Sequence, residues 1–409
     1  MNNKFGLLGR KLGHSLSPQI HSLLCGYEYK LYPTEPEKLD EFFSDGCLDG
    51  YNVTIPYKVE AFNRCATLSE TARKAGSVNT VTRNADGTLH GDNTDYFGFA
   101  YMAEKVGCDF GGKKVVVLGS GGASLTVQLV AADLGAKEII VVSRTGENNY
   151  ENISLHYDAD IVVNTTPVGM YPNNGERIIE LSKFTKCRKV LDLIYNPART
   201  PLLLDAEKLG IDCINGLYML VAQALRAAEN FTGKEIPLSR IDEIYQTIIS
   251  NQKNIVLVGM PGCGKSTLAA LLSEKTGREC VDTDAEVEEC GMKIPEIFAQ
   301  FGEAEFRSRE TQAVKKIAKE AGRIIATGGG TVLREENRTA LRENSTVIFL
   351  KAPTERLATG GRPLSKDLET LRAMHELRLP LYEEAADLTV EVDPDPEITL
   401  GRIMECVSL

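Results

Sequence analysis

Short apolar segments typical of β-strands alternate along the chain with longer segments in which apolar and polar residues recur at helical spacing. Between Lys4 and Tyr101 the strand-like segments are FGLLG, YEYKLY and YNVTI, and the helix-like segments are PQIHSLLCG and KLDEFFSDG. A further helix-like segment, YFGFAYMAEKVG, follows them. Alternation of the two kinds of segment over such short distances predicts a small α/β unit.

The middle of the chain has the pattern of a dinucleotide-binding βαβ unit. The buried-type strand KKVVVLG leads through the turn SGGAS into the helix LTVQLVAADLG, and the strand KEIIVVSR follows. Such a strand, glycine turn, helix and strand are typical of a Rossmann-like fold. Strands in ADIVVNTT and KVLDLIY continue a parallel sheet, and two helices over residues 217–233 and 237–250 close this region.

A second doubly wound unit is predicted after a short polar break. The break is NQKN, residues 251–254, and the fresh strand IVLVG comes directly after it. Further strands are predicted in RECVDTD, RIIATGGG, STVIFLKA and LTVEVD. The pattern as a whole predicts an α/β protein of three domains: residues 1–101, completed by the helices near 217–250, then 102–250, and finally 254–409.

Composition narrows the class of protein. The chain of 409 residues is 43% hydrophobic and 25% charged, which is ordinary for a globular protein. A net charge of −11 argues against a nucleic-acid partner, because affinity for a polyanion needs clustered Lys and Arg. The chain has no apolar run of membrane-spanning length, no leader-like N-terminus and no CxxC pair among its ten cysteines. We therefore expect a cytoplasmic protein with reduced thiols and small-molecule partners, and the oligomeric state stays open.

One glycine-rich turn predicts an ATP site. Residues 259–266 match G-x-x-x-x-G-K-[ST] between a predicted strand and a predicted helix. In this motif backbone N–H groups surround the phosphates, Lys265 reaches the terminal phosphates and the Ser266 hydroxyl ligates Mg²⁺. The expected ATP-binding residues are Gly262, Cys263, Gly264, Lys265, Ser266 and Thr267.

A second glycine-rich turn, GSGGAS, predicts a dinucleotide site, although it departs from G-x-G-x-x-G. Arg144 stands at the end of the next strand, where NAD-specific folds place an acidic residue against the ribose. An arginine there suits a 2′-phosphate, so NADPH is the expected cofactor, with a plain surface role for Arg144 as the alternative. The expected cofactor-binding residues are Gly119, Ser120, Gly121, Gly122, Ala123, Ser143, Arg144 and Thr145.

Five motifs in the first 250 residues carry a resemblance. They are GHSLSP, YNVTIPYK, GSVNT, GDNTD and GLYMLVAQA, and they occur in that order around GSGGAS. This half of the chain resembles shikimate dehydrogenase, whose fold is a substrate-binding α/β domain joined to a Rossmann-like NADP domain. The resemblance implies that Lys58 and Asp95 are the catalytic pair. It also implies that the substrate is bound by Ser15, Ser17, Thr54, Asn79, Asp95 and Gln223.

Each of those residues also has a plain structural interpretation. Ser17, which precedes Pro18, and Asp95, which precedes an apolar helix, have the features of helix N-caps. Lys58 taken alone has the features of a surface lysine.

Motifs in the last third of the chain carry a second resemblance. After the phosphate turn come DTD, FRSRE, GGG, RPL and RLPLY. Residues 254–409 resemble shikimate kinase, a P-loop fold with a parallel sheet between two helical layers. The resemblance implies that Asp282 joins Ser266 at Mg²⁺ and that Asp284, Lys265 and the lid residue Arg362 are catalytic. The implied shikimate-binding residues are Asp284, Arg307, Gly329, Gly330 and Arg378.

Together the two resemblances imply a bifunctional enzyme. The first half would reduce 3-dehydroshikimate to shikimate with NADPH, and the second half would phosphorylate shikimate at its 3-hydroxyl with Mg-ATP. Three alternatives stay open: a quinate/shikimate dehydrogenase that uses NAD, a kinase-like module that only binds nucleotide, and a gluconate-kinase-like enzyme. Arg307 and Arg309 could also be ordinary salt-bridging helix residues.

Overall fold

The computed structural model describes residues 4–13, 15–172, 174–357 and 368–407. These residues group into two compact units. The first unit comprises Met1–Val168, Arg177–Tyr195 and Asp205–Thr247, and the second comprises Gly169–Glu176, Asn196–Leu204 and Ile248–Leu409. No helix among the described residues is both long and apolar enough to cross a membrane.

The first unit begins with a mixed six-stranded sheet. Its strands are β1 (Lys4–Gly9), β2 (Glu28–Pro33), β3 (Gly50–Val53), β4 (Thr67–Leu68), β5 (Thr80–Arg83) and β6 (Leu89–Asp92), in the order β2-β1-β3-β5-β6-β4. Its helices are α1 (Ser17–Leu24), α2 (Leu39–Ser44), α3 (Lys58–Arg64), α4 (Glu70–Ala75) and α5 (Asp95–Lys105). Strand β5 is antiparallel to both of its neighbours. The sequence pattern predicts β1 to β3 but not β4 to β6. Strand β4 has only two residues, which are too few to show alternation.

A five-stranded parallel sheet forms the rest of the first unit's core. Its strands are β7 (Lys114–Leu118), β8 (Glu138–Val142), β9 (Ile161–Asn164), β10 (Lys189–Asp192) and β11 (Asp212–Asn215), in the order β11-β10-β9-β7-β8. The helices of this stretch are α6 (Gly122–Asp133), α7 (Pro201–Lys208), α8 (Leu217–Thr232) and α9 (Ser239–Gln252). Val115 to Leu118 are fully buried, as expected for a parallel strand covered on both faces.

The second unit contains another five-stranded parallel sheet. Its strands are β12 (Asn254–Val258), β13 (Cys280–Asp282), β14 (Ile324–Ala326), β15 (Ser345–Lys351) and β16 (Leu388–Glu391), in the order β13-β14-β12-β15-β16. Its helices are α10 (Lys265–Thr276), α11 (Thr283–Glu288), α12 (Ile294–Ala318), α13 (Glu335–Glu343), α14 (Leu368–Ala385) and α15 (Pro396–Val407). Helix α12 is interrupted at Gly302, whose φ of +82° lies in the left-handed region that favours glycine.

The α/β class and the parallel sheets are confirmed. One detail of the sequence analysis is wrong: helix α9 continues through Asn251 to Gln252, and β12 begins at Asn254. The polar residues of NQKN therefore mostly extend a helix, since Asn and Gln on an exposed helix end cost little free energy. All three sheets place the carboxyl ends of parallel strands beside glycine-rich or motif-bearing turns, which is where ligands bind in α/β proteins.

Candidate active sites

Lys58 and Asp95 meet in the first unit. Lys58 is the first residue of α3 and Asp95 is the first residue of α5. Lys58 Nζ lies 2.6 Å from Asp95 Oδ2, and the two side chains are 23% and 13% exposed. This partial burial keeps the ion pair reachable by a substrate while screening it from bulk solvent. Lys58 is therefore not a plain surface lysine.

Asn79 is held next to this pair by its neighbours in the sheet. The side-chain oxygen of Asn79 accepts a hydrogen bond from the Thr94 backbone N–H at 2.8 Å, and its Nδ2 donates to Thr94 Oγ1 at 3.1 Å. Asn52 Nδ2 donates to Thr80 Oγ1 and, at 3.3 Å, to the Asn79 carbonyl. The sequence analysis did not assign roles to Asn52 or Thr94, although both lie in motifs that it singled out.

Ser15, Ser17 and Thr54 lie at the carboxyl ends of strands of the first sheet or just beyond them. The Ser17 backbone N–H donates to Ser15 Oγ at 3.2 Å, and the Thr54 N–H donates to the Leu8 carbonyl at 2.9 Å. Ser17 is buried at the start of α1, whose N-cap is Leu16.

The helix-cap interpretation of Ser17 and Asp95 is wrong. Each is the first helical residue, and the N-cap positions belong to Leu16 and Thr94, neither of which makes a side-chain cap hydrogen bond. The Asp95 carboxylate pairs with Lys58 instead, and the Ser17 side chain hydrogen-bonds with Tyr29.

Gln223 lies on α8, which packs closely on α5. A Cβ at Gly98 of α5 would lie 2.7 Å from the Met219 carbonyl oxygen and 3.0 Å from Gln223 Cβ. The absence of a side chain at Gly98 therefore allows α8 to bring Gln223 towards the helix that begins at Asp95. Gln223 Nε2 donates to the Leu220 carbonyl at 2.8 Å.

A fully buried histidine lies one turn beyond Ser17. The His21 ring stacks on Tyr29 at 3.9 Å between centroids, and its Nδ1 lies 2.6 Å from Tyr27 Oη. Burial lowers the pKa of His21 from its ordinary value of 6.5 to about 3. His21 is thus neutral in the folded protein at every pH in the physiological range.

Acid is expected to destabilise the first unit through His21. Because the folded-state pKa is depressed, the stabilising contribution is complete above about pH 6.5 and is lost as the pH falls towards 3. Between about pH 7.5 and about pH 5.5 the loss should reach about 1 kcal/mol. The measurement is the free energy of urea unfolding of the full chain at both pH values.

The matched variant for this test is His21→Phe, which keeps a ring stacked on Tyr29 and removes the titration. Its unfolding free energy should fall by about 1 kcal/mol less than that of the wild type over the same pH interval. Equal pH dependence in the two proteins would contradict the prediction.

The second glycine turn has the geometry of a phosphate-binding turn. Gly119 has a φ of +102°, and a Cβ there would lie 2.8 Å from Thr165 Oγ1. Gly121 and Gly122 begin α6 and face open space, where the N–H groups of the helix start can bind an anion. Strand β7 lies between β8 and β9, so the turn occupies the point where the strand order reverses.

Arg144 lies in the short segment that follows β8. The residues Ser143, Arg144 and Thr145 follow β8 directly, and the Ser143 N–H donates to the Asn148 carbonyl at 3.1 Å. Arg144 is exposed. Its guanidinium is consequently accessible to a ligand that enters from solvent.

The glycine turn of residues 259–266, predicted to bind ATP, follows β12 as expected. Gly259, Gly262 and Gly264 have φ values of +151°, +85° and +94°, which L side chains rarely adopt. Lys265 is buried and its Nζ donates to the carbonyls of Gly259 and Met260 at 2.8 and 2.9 Å. Its ammonium group therefore lies inside the curve of the turn, where the resemblance places phosphates.

Ser266 and Asp282 form an oxygen-rich pair beside this turn. Ser266 Oγ donates to Asp282 Oδ2 at 2.9 Å, and Asp282 Oδ1 caps α11 by accepting the Asp284 N–H at 2.8 Å. Hard oxygen ligands from a hydroxyl and a carboxylate suit Mg²⁺.

A cavity of about 510 Å³ joins the glycine turn to the motifs that follow it. It brings together the expected residues Gly262, Gly264, Lys265, Ser266, Thr267, Asp282, Asp284, Arg307, Gly329, Gly330 and Arg378. Cys263 is buried and lines a neighbouring cavity of about 220 Å³. Arg362 lies outside the described residues.

The environment of Asp284 in this cavity perturbs the pKa of its carboxyl group. Burial, then the negative charges of Asp282 and Glu310, raise the pKa of Asp284 to about 6, against the opposing effect of Lys265 and Arg307. A carboxylate with a pKa near 6 is ionised at neutral pH and is a stronger base than an ordinary aspartate.

Two buried guanidiniums face the same cavity. Arg307 Nη1 donates to Glu310 Oε2 at 2.9 Å, and Arg378 Nη1 donates to the Gly329 carbonyl at 3.0 Å. Arg378 Nε is buried and finds no hydrogen-bond partner among the described residues. The salt-bridge interpretation is correct for Arg309, which pairs with Glu305 at 2.8 Å, whereas Arg307 makes its ion pairs while lining the cavity.

Family models match both halves of the chain. The model for the shikimate dehydrogenase substrate binding domain matches residues 7–81, and the model for shikimate kinase matches residues 261–408. The second match favours the shikimate kinase interpretation over a gluconate-kinase-like enzyme and over a module that only binds nucleotide.

Known proteins resemble the N-terminal 60% of the chain. A shikimate dehydrogenase (NADP(+)) of Clostridium perfringens strain SM101 is 35% identical over 265 residues, which are 60% of this chain and 97% of the relative. The chorismate mutase/shikimate 5-dehydrogenase fusion protein of Clostridium acetobutylicum has a crystal structure with 38% identity and a TM-score of 0.58, over 61% of this chain and 97% of that one. Quinate dehydrogenase from Corynebacterium glutamicum in complex with NAD has 28% identity and a TM-score of 0.55, over 60% and 98%.

Proposed function

The chain belongs to the shikimate dehydrogenase family and carries a shikimate kinase domain after it, and from this premise we propose that it catalyses two consecutive reactions. The first is NADPH-dependent reduction of 3-dehydroshikimate to shikimate, and the second is ATP-dependent phosphorylation of shikimate to shikimate 3-phosphate. The single observation that carries the proposal is that each unit has its own glycine turn after a parallel strand, β7 or β12, and its own candidate for proton transfer, the Lys58–Asp95 pair in the first unit and Asp284 in the second. The proposed domains are residues 1–101 with the helices near 217–250, residues 102–250, and residues 254–409.

In the reductase, the Lys58–Asp95 pair would supply the proton that the reduced ketone takes up. The cofactor, when bound, supplies the hydride. The Lys58 ammonium, 2.6 Å from Asp95, can donate a proton to the oxygen of the reduced ketone and stabilise the charge that develops there. Ser15 and Ser17 would bind the carboxylate of the substrate, while Thr54, Asn79 and Gln223 would orient its ring hydroxyls.

The glycine turn and Arg144 fit a phosphorylated dinucleotide. Gly121 and Gly122 have no atom within 4 Å of the place where a Cβ would lie, so the backbone at the start of α6 is open to a pyrophosphate. An exposed arginine at the end of β8 supports a 2′-phosphate and hence NADP. The NAD-bound quinate dehydrogenase among the similar structures keeps NAD and quinate as the alternative to test.

In the kinase, Arg307 and Arg378 would clamp the carboxylate of shikimate. Both guanidiniums are buried and line the same cavity, which suits an anionic ligand. Planar guanidiniums bind carboxylates in bidentate geometry. The Gly329 and Gly330 backbone, which lines the same cavity, would contact the same ligand.

Asp284 would act as the base for the attacking hydroxyl. The pKa of Asp284 is raised to about 6, close to neutral pH, and a base with such a pKa accepts a proton more readily than an ordinary aspartate does. ATP, when bound, supplies the phosphoryl group, and the chain contributes Lys265 inside the turn with Ser266 and Asp282 as oxygen ligands for Mg²⁺. Arg362, from the lid motif RPL, is proposed to approach the transferred phosphate.

A coupled assay with the purified full chain tests the proposal. With 3-dehydroshikimate, NADPH and ATP, we expect NADPH oxidation and formation of shikimate 3-phosphate. Replacing NADPH by NADH should lower the rate at least about tenfold if Arg144 binds a 2′-phosphate. Preferential turnover of quinate with NAD would contradict the proposed reductase, and ADP release that does not depend on shikimate would contradict the proposed kinase.

A further inference from the structure

Tyr382 connects helix α14 to the glycine loop of the kinase cavity. The tyrosine is fully buried, and its ring stacks on Phe349 at 5.2 Å with an interplanar angle of 13°. A buried tyrosine hydroxyl needs a hydrogen-bond partner. Here Tyr382 Oη donates to the carbonyl oxygen of Gly329 at 2.5 Å, across 53 residues of sequence.

The same carbonyl accepts a second hydrogen bond from the same helix. Arg378 lies one helical turn before Tyr382 and donates to the Gly329 oxygen through Nη1 at 3.0 Å. In a trans peptide the C=O and the following N–H point in opposite directions. Holding the Gly329 carbonyl on α14 therefore directs the Gly330 N–H away from α14.

The same peptide lies against one guanidinium of the proposed carboxylate clamp. A Cβ at Gly330 would lie 2.4 Å from Arg307 Nη1, so this peptide is in close contact with the first guanidinium. The two ends of the glycine loop, Gly328 and Thr331, make hydrogen bonds to other elements. The Gly328 N–H donates to Thr283 Oγ1 at 2.8 Å, and Thr331 Oγ1 donates to Glu310 at 2.9 Å. Among the described residues, the carbonyl between these ends is held by the two donors of α14.

We infer that Tyr382 is a positioning residue for the acid substrate of the kinase, an inference that rests on the proposed kinase function. Its hydroxyl orients the Gly329–Gly330 peptide and shares the Gly329 oxygen with Arg378. It thereby sets the position of a backbone donor and of a guanidinium that both face the cavity. Without the hydroxyl, Arg378 alone holds the carbonyl, and the glycine peptide gains freedom that substrate binding must remove.

The test is Tyr382→Phe in the full chain, which keeps the ring stacked on Phe349 and removes only the hydroxyl. We expect the KM for shikimate to rise about fivefold to tenfold, whereas kcat and the KM for ATP change less than about twofold, because the lost interaction acts on substrate binding. The matched control is Thr276→Val, which removes a hydroxyl that donates to the Leu272 carbonyl at 2.7 Å in the same unit, and which should change neither KM.

The outcomes separate this inference from the proposed function. An unchanged KM for shikimate in Tyr382→Phe, or an equal rise in both KM values, would overturn the positioning role while leaving the kinase assignment intact. If the wild-type chain transfers no phosphoryl group to shikimate, the proposed function fails instead. Calorimetric titration of shikimate into the wild type and the two variants checks that the KM change reflects binding. Weaker binding by Tyr382→Phe, with unchanged binding by Thr276→Val, supports the inference.

Discussion

Replacing Lys58 with methionine is expected to lower kcat for 3-dehydroshikimate reduction about 1,000-fold, since the change removes both a proton donor and a positive charge at the developing alkoxide. Methionine keeps much of the length of the side chain, so packing at the start of α3 should persist. Asp95, whose carboxylate lies 2.6 Å from Lys58 Nζ, then has no cation to orient. The measurement is the steady-state rate of NADPH oxidation. The KM for NADPH should change less than about threefold.

The matched control is Lys105→Met. Lys105 is also a helix residue of the first unit and also pairs with a carboxylate, Asp242, at 2.7 Å. Its loss should leave kcat within about twofold of the wild type, because an ion pair on the surface contributes little. More than about a tenth of the wild-type rate in Lys58→Met would rule out the proposed proton donor. Kinase activity of the same variant serves as the internal measure of protein concentration.

Arg307→Ala is expected to lower kcat/KM of the kinase for shikimate about 1,000-fold while NADPH oxidation persists. Removing one member of a buried, hydrogen-bonded charge pair costs several kcal/mol, and each step of about 1.4 kcal/mol is a factor of ten. Arg307 is 8% exposed and lies 2.9 Å from Glu310, so part of the loss will come from the unpaired glutamate. Both activities are measured separately on the same preparation.

Two further variants isolate the ligand contact from the loss of packing. Arg307→Lys retains a positive charge for Glu310 but not the bidentate geometry, and it should still lose most of its affinity for shikimate. Arg309→Ala removes an arginine two residues along the same helix that pairs with Glu305, and it should leave the kinase nearly unchanged. Loss of the dehydrogenase together with the kinase in Arg307→Ala would contradict separate sites.

Much of the fold was predictable because its signals are local. Buried parallel strands such as Lys114–Leu118 and Asn254–Val258 read as continuous apolar runs, and both are followed by glycine turns whose φ values only glycine adopts readily. A strand, a turn and a helix that are adjacent in sequence are also adjacent in space. Strand Thr67–Leu68, which escaped prediction, is too short to carry a period.

The cap interpretations failed for a related reason. A serine before a proline and an aspartate before an apolar helix satisfy the sequence rule for an N-cap, yet both helices begin at those residues. Helix boundaries shift by one or two residues with tertiary packing, and the rule cannot resolve such a shift. This matters for the proposed function, because the Asp95 carboxylate pairs with Lys58 instead of capping the helix.

The sequence by itself determined the α/β class, the two phosphate-binding turns and the motifs that contain Lys58, Asp95, Asp284 and Arg307, because each of these depends on residues within a few positions of one another. Only the tertiary structure decided which distant groups meet. The Asn52 and Thr94 hydrogen bonds around Asn79, the pairing of Arg307 with Glu310 inside a cavity, and the Tyr382 hydroxyl on Gly329 all depend on packing between elements. Such contacts arise from the summed packing of whole helices and sheets, and a buried polar atom acquires its partner there rather than from its neighbours in the chain.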